Sequence, residues 1–90
     1  MGFKKLRGVS LPEEKQGLIR YICLNWADQP KSVQDKIQRL CDQCGGAGSA
    51  ALWEVMCTGR NITAIAQAHF ISESVLYRAR KAFYESWYHR

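Results

Sequence analysis

The sequence predicts an all-α fold, in which about five helices form one small bundle over residues 1–90. Ninety residues are enough for one small domain and too few for two. Glycine and proline cluster at only three places, around Gly8, around Pro30 and at 45–48. Between these breaks the apolar residues recur at offsets of three and four, which is the period of a helix and not that of a strand.

The first helix is predicted over 10–28. Ser10 is a suitable N-cap, because a proline follows inside the first turn and a glutamate stands three residues after the cap. Pro30 disfavours helical geometry at the residue before it, so the helix is expected to end near Asp28. Its predicted buried face consists of Leu18, Ile19, Ile22, Cys23 and Trp26.

Two helices are predicted on either side of the glycine-rich segment 45–48. The second begins at Lys31 or Ser32 and ends at the first two glycines, since glycine takes the left-handed conformation that closes a helix. The third runs from about Ser49 to Gly59. The apolar residues expected to face the core are Val33, Ile37, Leu40, Cys41 and Cys44 in the second helix and Leu52, Val55 and Met56 in the third.

A short fourth helix and a longer fifth helix complete the predicted bundle. Asn61 can cap the fourth, over 62–69, and Ser72 can cap the fifth, which reaches about Tyr88. Positions 83 and 87 lie on a different side of the fifth helix from positions 84 and 88. One of these aromatic pairs is expected to be buried and the other to contact a second copy of the chain. The residues predicted to be buried are Val75, Leu76, Ala79, Phe83 and Trp87.

Positive charge collects at both ends of the chain. Residues 1–10 hold three Lys or Arg and no Asp or Glu, and residues 60–90 hold five Lys or Arg against two Asp or Glu. Lysine and arginine near phosphates release counterions, so this distribution favours a polyanionic partner. A net charge of +5 is also common among small domains, and it does not by itself assign a partner.

The sequence predicts a cytoplasmic location and no membrane partner. No segment is apolar over the length that a membrane span requires. No apolar core follows the basic residues Lys4, Lys5 and Arg7, as it does in a signal peptide. Four cysteines without an export signal suit a reducing compartment.

The segment 62–81 carries the most informative motif. Over these twenty residues the chain resembles the helix-turn-helix of bacterial and phage transcription regulators. Two positions depart from the family pattern, because Phe70 stands where the turn usually has glycine and His69 where a leucine-like residue is usual. A positive φ at Phe70 would impose backbone strain of about 1 kcal/mol or more. The residues that carry the resemblance are Ile65, Ala66, Ile71, Ser72, Leu76 and Ala79.

The resemblance divides the chain into a basic arm at 1–10, a helical scaffold at 11–59 and a helix-turn-helix at 60–90. It implies that the fifth helix is the recognition helix and enters the major groove of double-stranded DNA. Arg78 is then expected to bridge the O6 and N7 atoms of guanine, and Lys81 to bind a phosphate. The full set of expected DNA-binding residues is Ser72, Glu73, Ser74, Tyr77, Arg78, Arg80 and Lys81, with Lys4, Lys5 and Arg7 from the arm.

The function implied by the resemblance is that of a sequence-specific DNA-binding transcription regulator. Such proteins commonly read two half-sites, so a homodimer is expected. An ordinary helical hairpin would instead leave the basic face merely solvated. An antitermination or adaptor protein that binds RNA polymerase or RNA would use the same face on another partner. No cysteine–histidine pair has the orienting group and cleft of a nucleophile, and the sequence therefore predicts no enzyme.

A second resemblance lies in the run Cys41-Asp42-Gln43-Cys44-Gly45-Gly46-Ala47-Gly48. It resembles the Cys-x-x-Cys-x-Gly-x-Gly half-motif of zinc modules among chaperone cofactors and in the lambdoid antitermination protein Q. Tetrahedral zinc requires four ligands, and Cys57 and His69 are the nearest candidates for the other two, at spacings that match no standard zinc template. In the alternative, Cys41 and Cys44 are small buried residues that continue the stripe of the second helix, and the protein has no cofactor.

Overall fold

The computed structural model of the chain describes residues 11–88, and this part of the chain contains five α-helices and no strands. Two single turns of 3₁₀ helix, at Trp26–Asp28 and Gly46–Gly48, follow the first and second helices. The predicted all-α bundle of about five helices is therefore confirmed. None of the five helices has the length and hydropathy of a membrane-spanning segment. The helices are α1 (Glu13–Leu24), α2 (Lys31–Gly45), α3 (Ser49–Cys57), α4 (Ile62–Ala68) and α5 (Glu73–Ser86).

The end of α1 differs from its predicted end. The α-helix ends at Leu24, and a 3₁₀ turn continues the chain to Asp28, where the sequence predicted the stop. The backbone N–H of Asn25 is shared between two carbonyls, and the Asn25 side-chain amide donates a bond of 2.8 Å to the carbonyl of Tyr21. Asparagine competes in this way with regular helical bonding, which explains the early change of helix type. The predicted cap Ser10 lies outside the described residues.

The corner between α2 and α3 requires its glycines. Gly46 has a φ of 53°, in the left-handed region that side chains disfavour. Gly48 is buried, and a Cβ atom at this position would lie only 3.2 Å from the Cδ1 atom of Ile71. Glycine therefore allows the connection between α4 and α5 to pack closely against this corner.

The helix α2 lies at the centre of the bundle and packs against both α3 and α5. In turn α3 contacts α1, α4 and α5, and α4 packs against α5. The side chain of Arg20 on α1 donates hydrogen bonds to the carbonyls of Val55 and Met56, at the end of α3. These carbonyls have no partner within their own helix, so Arg20 satisfies the carboxyl end of α3.

Two residues predicted to be buried are exposed. Leu18 on α1 retains 51% of its accessible surface, and Val75 on α5 retains 40%. The packing surface of α1 is narrow, because α3 is its main neighbour, and the fully buried apolar residues of this helix are Ile19 and Cys23. A single neighbour covers a narrower stripe than the full set of apolar positions at helical spacing.

The aromatic residues at the end of α5 do not divide into a buried pair and an exposed pair. Phe83, Tyr84 and Trp87 are all buried, and Tyr88 is exposed. The rings of Phe83 and Trp87 are 5.9 Å apart, and those of Phe83 and Tyr84 are 6.5 Å apart. The exposed aromatic pair that was expected to contact a second copy of the chain is therefore absent from residues 11–88.

Three of the four free cysteines are buried in the core. Cys23, Cys41 and Cys57 lie inside the bundle, whereas Cys44 is half-buried, with its Sγ atom 4.0 Å from the hydroxyl of Ser86. Burial raises the pKa of the Cys41 thiol to about 12, and the nearby Cys57 thiol adds to this effect. The thiol is consequently protonated at neutral pH.

Raising the pH above 9 is expected to lower the free energy of unfolding. In the unfolded chain Cys41 loses its proton near pH 9.0, but in the folded chain only near pH 12. Between these values the folded state binds more protons, so stability falls with pH, by about 1.4 kcal/mol per pH unit from this group. Urea unfolding across this range measures the slope. Cys41→Ala should have the shallower slope, and equal slopes would contradict a buried neutral thiol.

Candidate nucleic-acid interface

The helix α4 begins and ends with specific polar contacts. The side-chain oxygen of Asn61 accepts a hydrogen bond of 2.7 Å from the backbone N–H of Thr63, as the predicted cap requires. Along the helix, Ile65 and Ala66 are buried and form its packing face. The small side chain of Ala66 allows close approach of a neighbouring helix.

The connection between α4 and α5 consists of the four residues 69–72. The backbone N–H of Ile71 donates a hydrogen bond of 2.9 Å to the carbonyl of Ala66. The backbone N–H of Phe70 donates a hydrogen bond of 3.3 Å to the carbonyl of Gln67. These two bonds form a Schellman closure, in which the residue after the cap takes the left-handed conformation. Phe70 occupies that position with a φ of 56°. The conformation costs a residue other than glycine roughly 1–2 kcal/mol.

Glu54 on α3 holds both ends of α4. Its Oε1 atom lies 3.0 Å from the Nη1 atom of Arg60, before α4, and its Oε2 atom lies 2.7 Å from the Nε2 atom of His69, after α4. Glu54 and His69 are partly shielded from solvent, whereas Arg60 is exposed. The sequence did not reveal this contact, because Glu54 and His69 are fifteen positions apart and follow no motif. Glu54 fixes the orientation of α4 relative to α3.

The outer side of α5 is exposed and basic. Its exposed residues between 73 and 81 include Ser74, Tyr77, Arg78 and Lys81, which we call the basic face. On the opposite side Leu76 and Ala79 are buried. Within residues 11–88 neither Arg78 nor Lys81 forms a salt bridge, and both cations remain available to an anion.

Other residues of the predicted set flank the basic face. The guanidinium of Arg80 lies 5.1 Å from the centre of the Tyr77 ring, and both Arg80 and Glu73 are half-buried. Burial lowers the pKa of the Arg80 guanidinium. The cation–π contact with Arg80 supports the Tyr77 ring, which keeps 44% of its surface exposed.

Ser72 occupies the N-cap position of α5, as predicted, but its hydroxyl makes no capping bond. Instead the hydroxyl oxygen lies 2.8 Å from that of Ser74. The two exposed hydroxyls thus form a pair at the start of the basic face. The predicted arm residues Lys4, Lys5 and Arg7 lie outside the described residues.

Among the four zinc candidates, Cys41 lies near Cys57 in the core, but the four are not grouped as a metal site. Cys41 and Cys57 are buried, Cys44 is half-buried, and His69 is engaged by Glu54. Across residues 11–88 no three side chains of His, Cys, Asp or Glu are grouped as ligands for a metal ion. The zinc half-motif stays a prediction, and metal analysis of the purified protein tests it.

The chain matches no protein-family model, and no curated protein and no solved structure is significantly similar to it.

Proposed function

We propose that the protein is a sequence-specific DNA-binding transcription regulator of bacterial or phage type. The observation that carries the proposal is that Arg78 and Lys81 are exposed and form no salt bridge with any residue of 11–88, on a helix whose other side is anchored in the core. The four-residue connection before α5 and its Schellman closure add support, because they are compatible with a helix-turn-helix. The proposal implies a cytoplasmic location.

The dimensions of α5 suit the major groove. Its fourteen residues make a rod about 20 Å long, and a major groove about 12 Å wide admits one α-helix. In this arrangement Arg78 bridges the O6 and N7 atoms of a guanine, a geometry that a planar guanidinium matches. Lys81 and the hydroxyl of Ser74 bind phosphates, which sets the register of the helix. Tyr77 contacts the sugar-phosphate backbone beside them.

Arg78→Ala and Lys81→Ala are expected to affect DNA binding differently. Loss of Arg78 should weaken binding to the preferred duplex by about 1–3 kcal/mol, or roughly 5- to 150-fold, and change binding to a scrambled duplex little. Loss of Lys81 should weaken both and reduce the salt dependence of log K by about one unit. Selection from a random duplex library identifies the preferred site, and fluorescence anisotropy at several salt concentrations then measures each affinity.

Lys31→Ala is the matched control for these variants. It also removes one positive charge, from an exposed lysine that lies on α2 rather than on α5 and is paired with Asp35. Its binding should resemble that of the unmodified protein. A selection that enriches no sequence, or an Arg78→Ala variant that loses equal affinity for both duplexes, would contradict the proposed roles.

A homodimer remains part of the proposal, because two copies can read half-sites about one helical turn apart. The described aromatic residues no longer support it, since only Tyr88 of the four at the end of α5 is exposed. A palindromic selected site and a concentration-dependent mass in sedimentation would support a dimer. A mass that stays monomeric with and without DNA would exclude it.

The exposed aromatic rings favour one alternative function. Tyr77 and Tyr88 are exposed, and recognition of RNA commonly uses such rings to stack on unpaired bases. Tyr84 does not contribute, because it is buried. Under this proposal the basic face serves an antitermination or adaptor protein that binds RNA or RNA polymerase. Gel shifts with duplex DNA and single-stranded RNA at matched salt distinguish it from the first proposal.

A further inference from the structure

Phe70 is the most unusual residue in the described part of the chain. It is 96% exposed, and among residues 11–88 it is the only residue other than glycine with a positive φ. Glycine would close the same turn without strain, as it commonly does at this position of a Schellman closure. Neither packing nor backbone geometry therefore explains a phenylalanine here.

A costly conformation combined with an unused apolar ring indicates a contact outside the chain. Phe70 lies on the connection that leads into α5, three residues before Glu73. The exposed charged residues that follow it along 71–81 are Arg78 and Lys81, and the one acidic residue of this stretch, Glu73, is half-buried. Arg78 and Lys81 lie exposed on the helix into which this connection leads, and their charge complements a polyanion, which favours nucleic acid over an apolar protein surface as the occupant.

The major groove offers one apolar group to such a ring, the C5 methyl group of thymine. The amino-terminal residues of a recognition helix are the ones that approach base edges. We infer that Phe70 is a specificity-determining residue that packs against a thymine methyl group at the end of the site near the start of α5. This inference rests on the proposed function.

A double-mutant cycle tests the inference. One change is Phe70→Gly, and the other is replacement of single thymines by deoxyuracil in the selected duplex, which removes only the methyl group. In the unmodified protein one such replacement should weaken binding roughly fourfold, as expected for one buried methyl-sized group. In Phe70→Gly the same replacement should have no effect, and the two changes should therefore be non-additive.

Two further variants separate the ring from the backbone. Phe70→Tyr keeps the ring and should keep the dependence on the thymine methyl group. Phe70→Asn keeps tolerance of the left-handed conformation and should behave like Phe70→Gly. Thermal unfolding provides an independent readout, because Phe70→Gly should melt at a higher temperature while it binds DNA more weakly. A purely structural role would move stability and affinity in the same direction.

Each outcome has a distinct meaning. If the unmodified protein shows no sequence preference for duplex DNA, the proposed function fails and the inference fails with it. If it shows a preference but Phe70→Gly retains the full methyl dependence, the inference is overturned and the proposed function stands. In that outcome Phe70→Gly loses the same affinity on the thymine and deoxyuracil duplexes, because the contact is not with the methyl group.

Discussion

Phe83→Ala is expected to lower the free energy of unfolding by about 3–5 kcal/mol. Phe83 is fully buried, and its ring contacts the rings of Tyr84 and Trp87 inside the bundle. Truncation removes the transfer free energy of the ring and leaves a cavity that the surrounding helices fill only partly. The loss is a large fraction of the stability of a small domain, which is about 5–15 kcal/mol. Urea unfolding followed by circular dichroism measures it.

Phe70→Ala is the matched control, because it removes the same atoms from a ring that is 96% exposed. Truncation of an exposed side chain that leaves the backbone strain unchanged alters stability by roughly 0.5 kcal/mol. Alanine is also strained at a positive φ, so no gain like that of glycine is expected. Similar losses in the two variants would mean that Phe83 is not the core residue described here.

The positions of the helices were largely predictable from local signals. Pro30 precedes α2, Gly45 and Gly46 end it, and Asn61 caps α4 with the expected hydrogen bond. These residues act through their own backbone geometry or hydrogen bonds, which depend little on distant parts of the chain. Local chemistry of this kind can be recognised in a single sequence.

The width of each buried stripe was not predictable. Helical spacing indicates the direction of the apolar side, but the number of packed neighbours decides how far burial extends around the helix. With one main neighbour, α1 leaves Leu18 exposed. With three neighbours, α5 buries Tyr84 in addition to Phe83 and Trp87. The error in the predicted aromatic pairs has this cause.

The candidate interface was also predictable only in part, because some of its features are local and others depend on how the helices pack. The helical period of α5 predicts that Arg78 and Lys81 are exposed. Strain at Phe70 was predicted for a turn with a positive φ, because glycine is usual at this position, and Phe70 does have a positive φ. The contacts of Glu54 with Arg60 and His69 depend instead on how α3 meets α4, which no local signal specifies. The cation–π contact of Arg80 with Tyr77 was also missed, although both residues were in the predicted set.

Rigid support of α5 connects this packing to the proposed function. A recognition helix discriminates between bases only if its side chains keep their positions relative to the phosphate contacts. The chain provides this support through the buried face of α5, through Ile71 against Gly48, and through Glu54 at both ends of α4. Loss of packing between α4 and α5 should consequently impair binding even where the basic face is unchanged.

Leu76→Ala is expected to destabilise the protein by about 2–5 kcal/mol and to weaken binding to the selected duplex. Leu76 is almost fully buried and belongs to the same core cluster as Ile65 and Ala66. Val75→Ala is the control. Val75 is the next residue on the same helix but is exposed, so its truncation should lower the free energy of unfolding by less than about 1 kcal/mol. Chemical denaturation and anisotropy on the two variants measure both effects.

These two adjacent residues also test how stability and affinity are coupled. If Leu76 acts by holding α5 against α4, lowering the temperature until Leu76→Ala is fully folded should restore part of the affinity of this variant for DNA. The basic face itself is intact in the variant. Val75→Ala should match the unmodified protein in both measurements. A larger loss of stability in Val75→Ala than in Leu76→Ala would reverse the assigned orientation of α5, and the basic face would then lie on the wrong side of the helix to meet a nucleic acid.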